Sequence, residues 1–278
     1  MTQKVSLGSD FPQRLLTAAV GGPLIILILA LGAPFTDLLA IGVGAITSFE
    51  LWNMFRPASR LGLFTVLSVT MACIGSVFTA HYELLPVVLL VCLAIGGIDA
   101  WREPHHRGRF YVRSYVYTIL GAAYLGVPLG LFILLRNMNN GFLWTGILFA
   151  NSWCTDGFAL IGGRIAGRHK LAPSISPGKT IEGAAAGISV GTLVGFGLML
   201  AVRLTPTPTF PALVALGVNL LLALLTVLGD LFESWLKRTF HVKDAGDILP
   251  GHGGFLDRLD GFLFAIPAYY VVLLLLHV

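Results

Sequence analysis

Apolar runs long enough to cross a lipid bilayer recur along this chain of 278 residues, and a water-soluble core has no room for so many of them. A helix needs about 20 largely apolar residues to span the hydrocarbon layer. By that length nine spans are predicted, at about 15–32, 35–54, 61–80, 84–100, 114–135, 142–162, 181–202, 211–236 and 261–277. Composition agrees, with 56% of residues hydrophobic and 12% charged, where soluble domains carry about a quarter charged residues. Such a chain has ample apolar surface to bury, which excludes disorder. Its 33 glycines and 14 prolines lie inside the apolar runs and follow no collagen period. The expected fold is an all-α polytopic membrane protein of about nine transmembrane helices.

The first run lacks a small-x-small cleavage site followed by a polar region, so it is expected to stay as a span and not to be removed as a signal peptide. Basic residues predict the orientation, because cytoplasmic loops retain Lys and Arg. With the N-terminus inside, the inner segments hold 16 of the 18 basic residues and leave Arg136 and Arg203 outside. The C-terminus is then external. Two inner loops, about 163–180 and about 237–260, are longer than the rest, so any chemistry is expected to face the cytoplasm. Residues 1–140 read as a helical scaffold with dimer contacts, and 141–278 as a catalytic transmembrane unit carrying both loops. Cys73, Cys92 and Cys154 sit in apolar runs without CxxC spacing and are expected to be small buried hydrophobes.

Gly183, Gly187, Gly191 and Gly195 repeat every four residues, which on a helix makes one stripe for close packing. Gly178-Lys179-Thr180 ends like a phosphate-binding P-loop. That motif needs glycine five residues before Gly178, where Pro173 stands, and a preceding strand, which is not expected here. A Ser176-Pro-Gly-Lys-Thr turn entering a helix can still offer Lys179, the Thr180 hydroxyl and backbone N–H groups to a phosphate. Asp156 lies well inside the sixth span and shares a polar face with Ser152 and Thr155, with Asn151 beside it. A carboxylate at such depth costs several kcal/mol unless paired or hydrated, so its default reading is functional. Glu50 and Asp99, near the inner ends of their spans, read as interfacial.

The densest polar feature closes the eighth span. Asp230, Glu233, Ser234 and Lys237 follow i, i+3, i+4, i+7 on an otherwise apolar helix. Arg238, Lys243, Asp244 and His252 follow, then Gly253-Gly254, with Asp257, Arg258 and Asp260 opening the ninth span. Carboxylates from two helices, basic residues and a glycine turn make a metal–polyphosphate site. Carboxylates hold a hard divalent cation, cation and basic groups neutralise phosphate, and glycines permit close approach. Gly253 and Gly254, just before a helix start, can also expose N–H groups to an anion. His252 reads as a phosphate contact or turn residue, because oxygen ligands dominate nearby.

The run Ser234-x2-Lys237-Arg238-x4-Lys243-Asp244-x-Gly246-x2-Leu249-Pro250-x-His252-Gly253-Gly254-x2-Asp257-Arg258-x-Asp260 resembles the signature of the phosphatidate cytidylyltransferase, or CDP-diacylglycerol synthase, family. Asp156 and the run Gly167-Arg168-x-Lys170-Leu171-Ala172-Pro173-x-Ile175-Ser176-Pro177-Gly178-Lys179-Thr180-x-Glu182-Gly183 are similar to the family's second block. The resemblance covers about residues 150–261, and the modest length without a long hydrophilic N-terminal extension is more like the bacterial members. It implies conversion of CTP and phosphatidic acid to CDP-diacylglycerol and pyrophosphate in phospholipid biosynthesis, with Mg2+, at the inner membrane of the cell. It also implies a homodimer and a two-cation site on Asp230 and Asp257, the second cation being K+ or Mg2+. On that basis Asp230 and Asp257 are the expected cation ligands, with Glu233 and Asp260 as further candidates. Lys237, Arg238, Lys243, His252 and Arg258 are the expected phosphate contacts. Lys179, Ser176, Thr180, Ser234, Gly253, Gly254 and Asp156 complete the substrate-binding set, and no nucleic-acid partner is expected.

Two other activities compete. A CTP-dependent lipid kinase transfers the γ-phosphoryl group instead. A secondary transporter for an anionic solute also uses intramembrane carboxylates and glycine-broken helices, but the charged loops here fall on one side.

Overall fold

The computed structural model describes residues 11–55, 70, 74–75, 109–202, 210–246 and 253–277. Seven long helices account for most of them: α1 (Phe11–Leu31), α2 (Phe35–Phe55), α3 (Arg109–Asn137), α4 (Gly141–Ala166), α5 (Ile181–Ala201), α6 (Ala212–Thr239) and α7 (Leu256–Leu275). Four of these, Phe35–Met54, Ile181–Ala201, Ala212–Thr239 and Leu256–Leu275, are long and apolar enough to cross a membrane. Their outer faces carry large exposed apolar side chains, such as Leu193, Leu213 and Leu275. In water that surface would be an aggregation liability; against lipid tails it costs nothing. The spans expected at 61–80, apart from residues 70, 74 and 75, and at 84–100, with Asp99, Cys73 and Cys92, lie outside the described residues.

One expectation needs correction. The inner loop at about 163–180 is not all turn: β1 (Lys170–Ala172) and β2 (Ser176–Thr180) pair antiparallel, Lys170 opposite Thr180 and Ala172 opposite Ser176. The hairpin delivers the chain into α5, where Thr180 is the N-cap and its hydroxyl oxygen accepts the Gly183 N–H at 3.1 Å. Glu182, in the first turn, accepts the N–H groups of Arg168 and His169 and pairs with His169 Nδ1 at 2.6 Å. The hairpin is therefore tied at both ends to the helix that follows it.

The glycine stripe of α5 packs on α4. A Cβ at Gly187 would meet Ala159 Cβ at 2.8 Å as well as the Thr155 carbonyl oxygen, and one at Gly183 would lie 2.6 Å from the Ala159 carbonyl oxygen. At Gly191 the obstacle is Thr155 and at Gly195 it is Asn219 of α6. Close approach also buries Asn151, Ser152 and Thr155, which bond among themselves and across to α6. Asn151 Nδ2 donates to the Asn219 carbonyl oxygen at 2.9 Å, and the Ser152 and Thr226 hydroxyls are 3.1 Å apart. Gly187→Leu is expected to lower the thermal unfolding temperature clearly, since overpacking a tight contact costs about 1–3 kcal/mol or more. A thermal scan of the purified protein in detergent showing wild-type stability would mean that the helices are not in this contact.

Helices α6 and α7 run antiparallel and nearly touch at two further glycines. A Cβ on Gly229 would come 2.9 Å from Gly261 Cα, and one on Gly261 would come 2.7 Å from Thr226 Cγ2. A second apolar cluster, containing Leu51, Met54, Leu125, Ala245, Leu256 and Leu263, joins α2 and α3 to the start of α7.

Candidate active site

The Gly229–Gly261 crossing sets the geometry of the acidic centre, because the residues next to these glycines are Asp230 and Asp260. Asp230 and Glu233 share a face of α6 by their i, i+3 spacing, and α7 brings Asp260 against them. One carboxylate oxygen from each of Asp230, Glu233 and Asp260 lies within 4.8 Å of the others. Glu233 is 1% exposed and Asp260 8%. Glu233 Oε1 is buried with no hydrogen-bond partner, although its Oε2 binds Lys237. Buried like charges at this spacing repel unless cations compensate them. Three oxygen donors around an orphaned buried oxygen fit a hard divalent cation such as Mg2+.

Asp257 stands beside this trio and has other partners. Its Oδ1 receives Lys237 Nζ at 2.5 Å, and its Oδ2 accepts the N–H groups of Gly254 at 2.9 Å and Ala245 at 3.1 Å. Lys237 therefore bridges Asp257 and Glu233, the latter at 3.1 Å. Asp230 is thus grouped with Glu233 and Asp260, while Asp257, expected with Asp230 as a cation ligand, is bonded to Lys237. The reason is helical pitch: α7 begins at Leu256 and not near 261, so Asp260 is one turn deeper than Asp257 and level with Asp230.

Basic residues surround the acids. Lys179 Nζ, at the end of β2, pairs with Asp230 Oδ2 at 2.5 Å, and Asp156 of α4 feels the charges of Asp230, Lys179 and Arg258. Four elements that are distant in sequence therefore converge at this centre. Arg238 Nε donates to the Ile175 carbonyl oxygen at 3.2 Å and pins the hairpin to the end of α6. Arg258 and Lys243 are exposed, while Ser234 and Ser176 are half-buried. His252 lies outside the described residues.

One expected phosphate donor is already engaged. The Gly254 N–H, read from sequence as free for an anion, meets the chain's own Asp257, because Gly253 turns back at φ +81° and aims it there. A Cβ is strained at that φ, which is why glycine stands at 253. The Thr180 hydroxyl oxygen accepts the α5 cap bond, and its O–H is still available to donate to a phosphate. Glu50, read from sequence as interfacial, has partners that the sequence does not reveal. It is 1% exposed and accepts the N–H groups of Phe255 at 2.9 Å and Leu256 at 2.8 Å. The signal was present, since a carboxylate inside an apolar run defaults to a functional reading; its closeness to the inner end of the span masked it.

The sequence model of the cytidylyltransferase family matches residues 12–276, nearly the whole chain. The chain belongs to that family. Among its relatives, the phosphatidate cytidylyltransferase of Bacillus subtilis (strain 168) is 33% identical over 277 residues, 96% of this chain and 98% of the relative. The phosphatidate cytidylyltransferase of Staphylococcus haemolyticus (strain JCSC1435) is 32% identical over 263 residues, covering 94% and 98%. That of Staphylococcus aureus (strain COL) is 38% identical over 168 residues, 60% of this chain and 62% of the relative. The likeness to the first two includes the N-terminal helices, where the motif resemblance did not reach. A cytidylyltransferase is a nucleotidyltransferase, and four membrane-length helices place this one in a membrane.

Proposed function

We propose that the protein transfers CMP from CTP to phosphatidic acid, giving CDP-diacylglycerol and pyrophosphate. The observation that carries this reading is the convergence of Asp230, Glu233 and Asp260 with Lys179 and Lys237 at one end of a membrane helix pair. It joins a family match over nearly the whole chain and relatives named for this activity. A lipid phosphate oxygen attacks the α-phosphorus of CTP. The new P–O bond forms as the bond to the bridging oxygen of the β-phosphate breaks, and that electron pair leaves with pyrophosphate. Such a transfer needs in-line positioning and charge stabilisation more than covalent help. A phosphomonoester is at least singly ionised near pH 7, its second pKa being about 6, so no dedicated base is required.

Asp230, with Glu233 and Asp260, would hold Mg2+, and a second cation, K+ or Mg2+, would lie towards Asp257; bound there, the cations supply charge neutralisation for triphosphate. Lys179 and Lys237 hold the carboxylates in place before substrate arrives. Lys179, at the end of the hairpin, is placed to turn from Asp230 to a phosphate. Arg258, Lys243 and Arg238 supply positive charge for the departing pyrophosphate, with His252, Ser176 and Ser234 as polar contacts. Phosphatidic acid enters from the inner leaflet with its acyl chains still in hydrocarbon.

This reading includes a cytoplasmic N-terminus, an external C-terminus, nine spans and a homodimer, the topology resting on the 16-to-2 division of basic residues. Light scattering of the detergent-solubilised protein at the mass of a monomer would remove the dimer. One experiment tests activity and side together: membrane vesicles of both orientations receive CTP labelled at the α- or γ-phosphate, phosphatidic acid and Mg2+. Inverted vesicles should place the α label in lipid and the γ label in pyrophosphate, and right-side-out vesicles should do so only after permeabilisation. A γ label in lipid would establish a lipid kinase, and turnover in sealed right-side-out vesicles would overturn the orientation.

A further inference from the structure

We propose that Glu50 of α2 is a positioning residue for the reaction: its buried carboxylate sets the height and rotation of the first turn of α7, and through it the placement of Asp257 and Asp260. The proposal rests on the assignment of α7 to the reaction centre. The two oxygens of Glu50 are divided between successive backbone donors, Oε1 taking the Phe255 N–H and Oε2 the Leu256 N–H. These N–H groups start α7 and have no partner within the helix, and the positive end of its dipole favours the carboxylate. Glycines let the side chain in from both sides. A Cβ at Gly246 would lie 2.8 Å from Glu50 Oε1, and one at Gly254 would lie 2.9 Å from it.

Asp257 completes the arrangement from the other direction by accepting the N–H groups of Gly254 and Ala245. Two carboxylates, one from α2 and one from α7, thereby clip four backbone N–H groups belonging to two chain segments, 245–246 and 253–256. If α2 only had to hold α7 in the bundle, the apolar cluster that includes Leu51 and Leu256, both fully buried, would suffice. A buried carboxylate is costly, and what it adds here is direction. Apolar packing tolerates small rotations of a helix, whereas two directional bonds to consecutive N–H groups do not. Asp257 is one residue beyond the second of these donors, so rotation of that turn moves its carboxylate relative to Lys237 and Asp230.

Kinetics and stability measured together separate positioning from simple support. Glu50→Gln keeps size and burial but puts an amide N–H2 against one of two N–H donors. Its kcat should fall about ten- to a hundredfold, the scale of a displacement of about 1 Å. KM for CTP and for phosphatidic acid should change less than about threefold, and the unfolding temperature should fall less than on loss of a large buried apolar contact, since one of the two bonds survives. Leu51→Ala is the comparator and should show the reverse, a lower unfolding temperature from the lost buried contact with kcat per folded enzyme within about twofold. If Glu50→Gln keeps wild-type kcat, or if Leu51→Ala loses as much kcat for the same loss of stability, Glu50 is not a positioning residue. Glu50→Asp, which keeps the charge but is too short to reach both donors, carries the test if the glutamine variant does not insert. Failure of both to give folded protein would assign Glu50 to folding alone and overturn the proposal. A wild-type protein that forms no CDP-lipid would instead overturn the cytidylyltransferase reading, so the two failures are distinguishable.

Discussion

Asp230→Asn is expected to lower turnover by at least about a hundredfold, comparable with losing one strong preorganised electrostatic contact. The substitution preserves volume but removes a third of the negative charge gathered by Asp230, Glu233 and Asp260. It also frees Lys179, whose ammonium pairs with Asp230. Less charge means weaker retention of a divalent cation, so added Mg2+ should restore only part of the activity. Folding should survive, because the carboxylate is half exposed and its loss relieves crowding with two buried neighbours. Asp257→Asn should lose turnover to a similar degree and also lose stability, since Asp257 holds Lys237 and two backbone N–H groups. Asp244→Asn, exposed between α6 and α7, should cost much less. Near-normal activity of Asp230→Asn across a magnesium titration would remove Asp230 from the cation site.

The second large effect is expected at Lys237. Its ammonium lies between Glu233 Oε2 and Asp257 Oδ1 with the side chain 14% exposed. Lys237→Met fills the same space and leaves two buried carboxylates without their shared cation. Removing one partner of a buried ion pair costs about 3–5 kcal/mol, so the variant should unfold at a distinctly lower temperature and lose at least about a hundredfold in turnover. The cost comes from the stranded charges, so it should be non-additive. Lys237→Met combined with Asp257→Asn should be more stable than Lys237→Met alone, the coupling expected of residues in direct contact. A double variant that adds its two losses would show that the bridge is not what stabilises this corner.

Much of this was legible in the chain itself. Seven of the expected spans coincide with described helices, and four of these are long and apolar enough to cross a membrane, because spanning lipid demands about 20 apolar residues whatever the helix packs against. The four-residue glycine period announced a close packing partner for α5, since only a missing side chain allows such an approach, and the structure shows that partner to be chiefly α4. The acidic and basic residues of the centre were visible too, because charge inside apolar helices is too costly to be incidental.

What stayed hidden was partnership. In sequence Asp257 looked like the mate of Asp230, but an α7 that starts at Leu256 turns Asp260 to that depth and leaves Asp257 to Lys237. The Gly254 N–H looked open to a phosphate until the φ of Gly253 aimed it at Asp257. Glu50 is 205 residues from Phe255 along the chain, and no local pattern links them. By itself the sequence determined the membrane, the helices, the family resemblance and the pool of charged groups, since these follow from local composition and spacing. Only the tertiary structure decided which carboxylates share an environment and which are bound to a lysine or a helix end. That choice depends on helix start, rotation and crossing depth, and a single turn of about 5.4 Å is enough to exchange one partner for another.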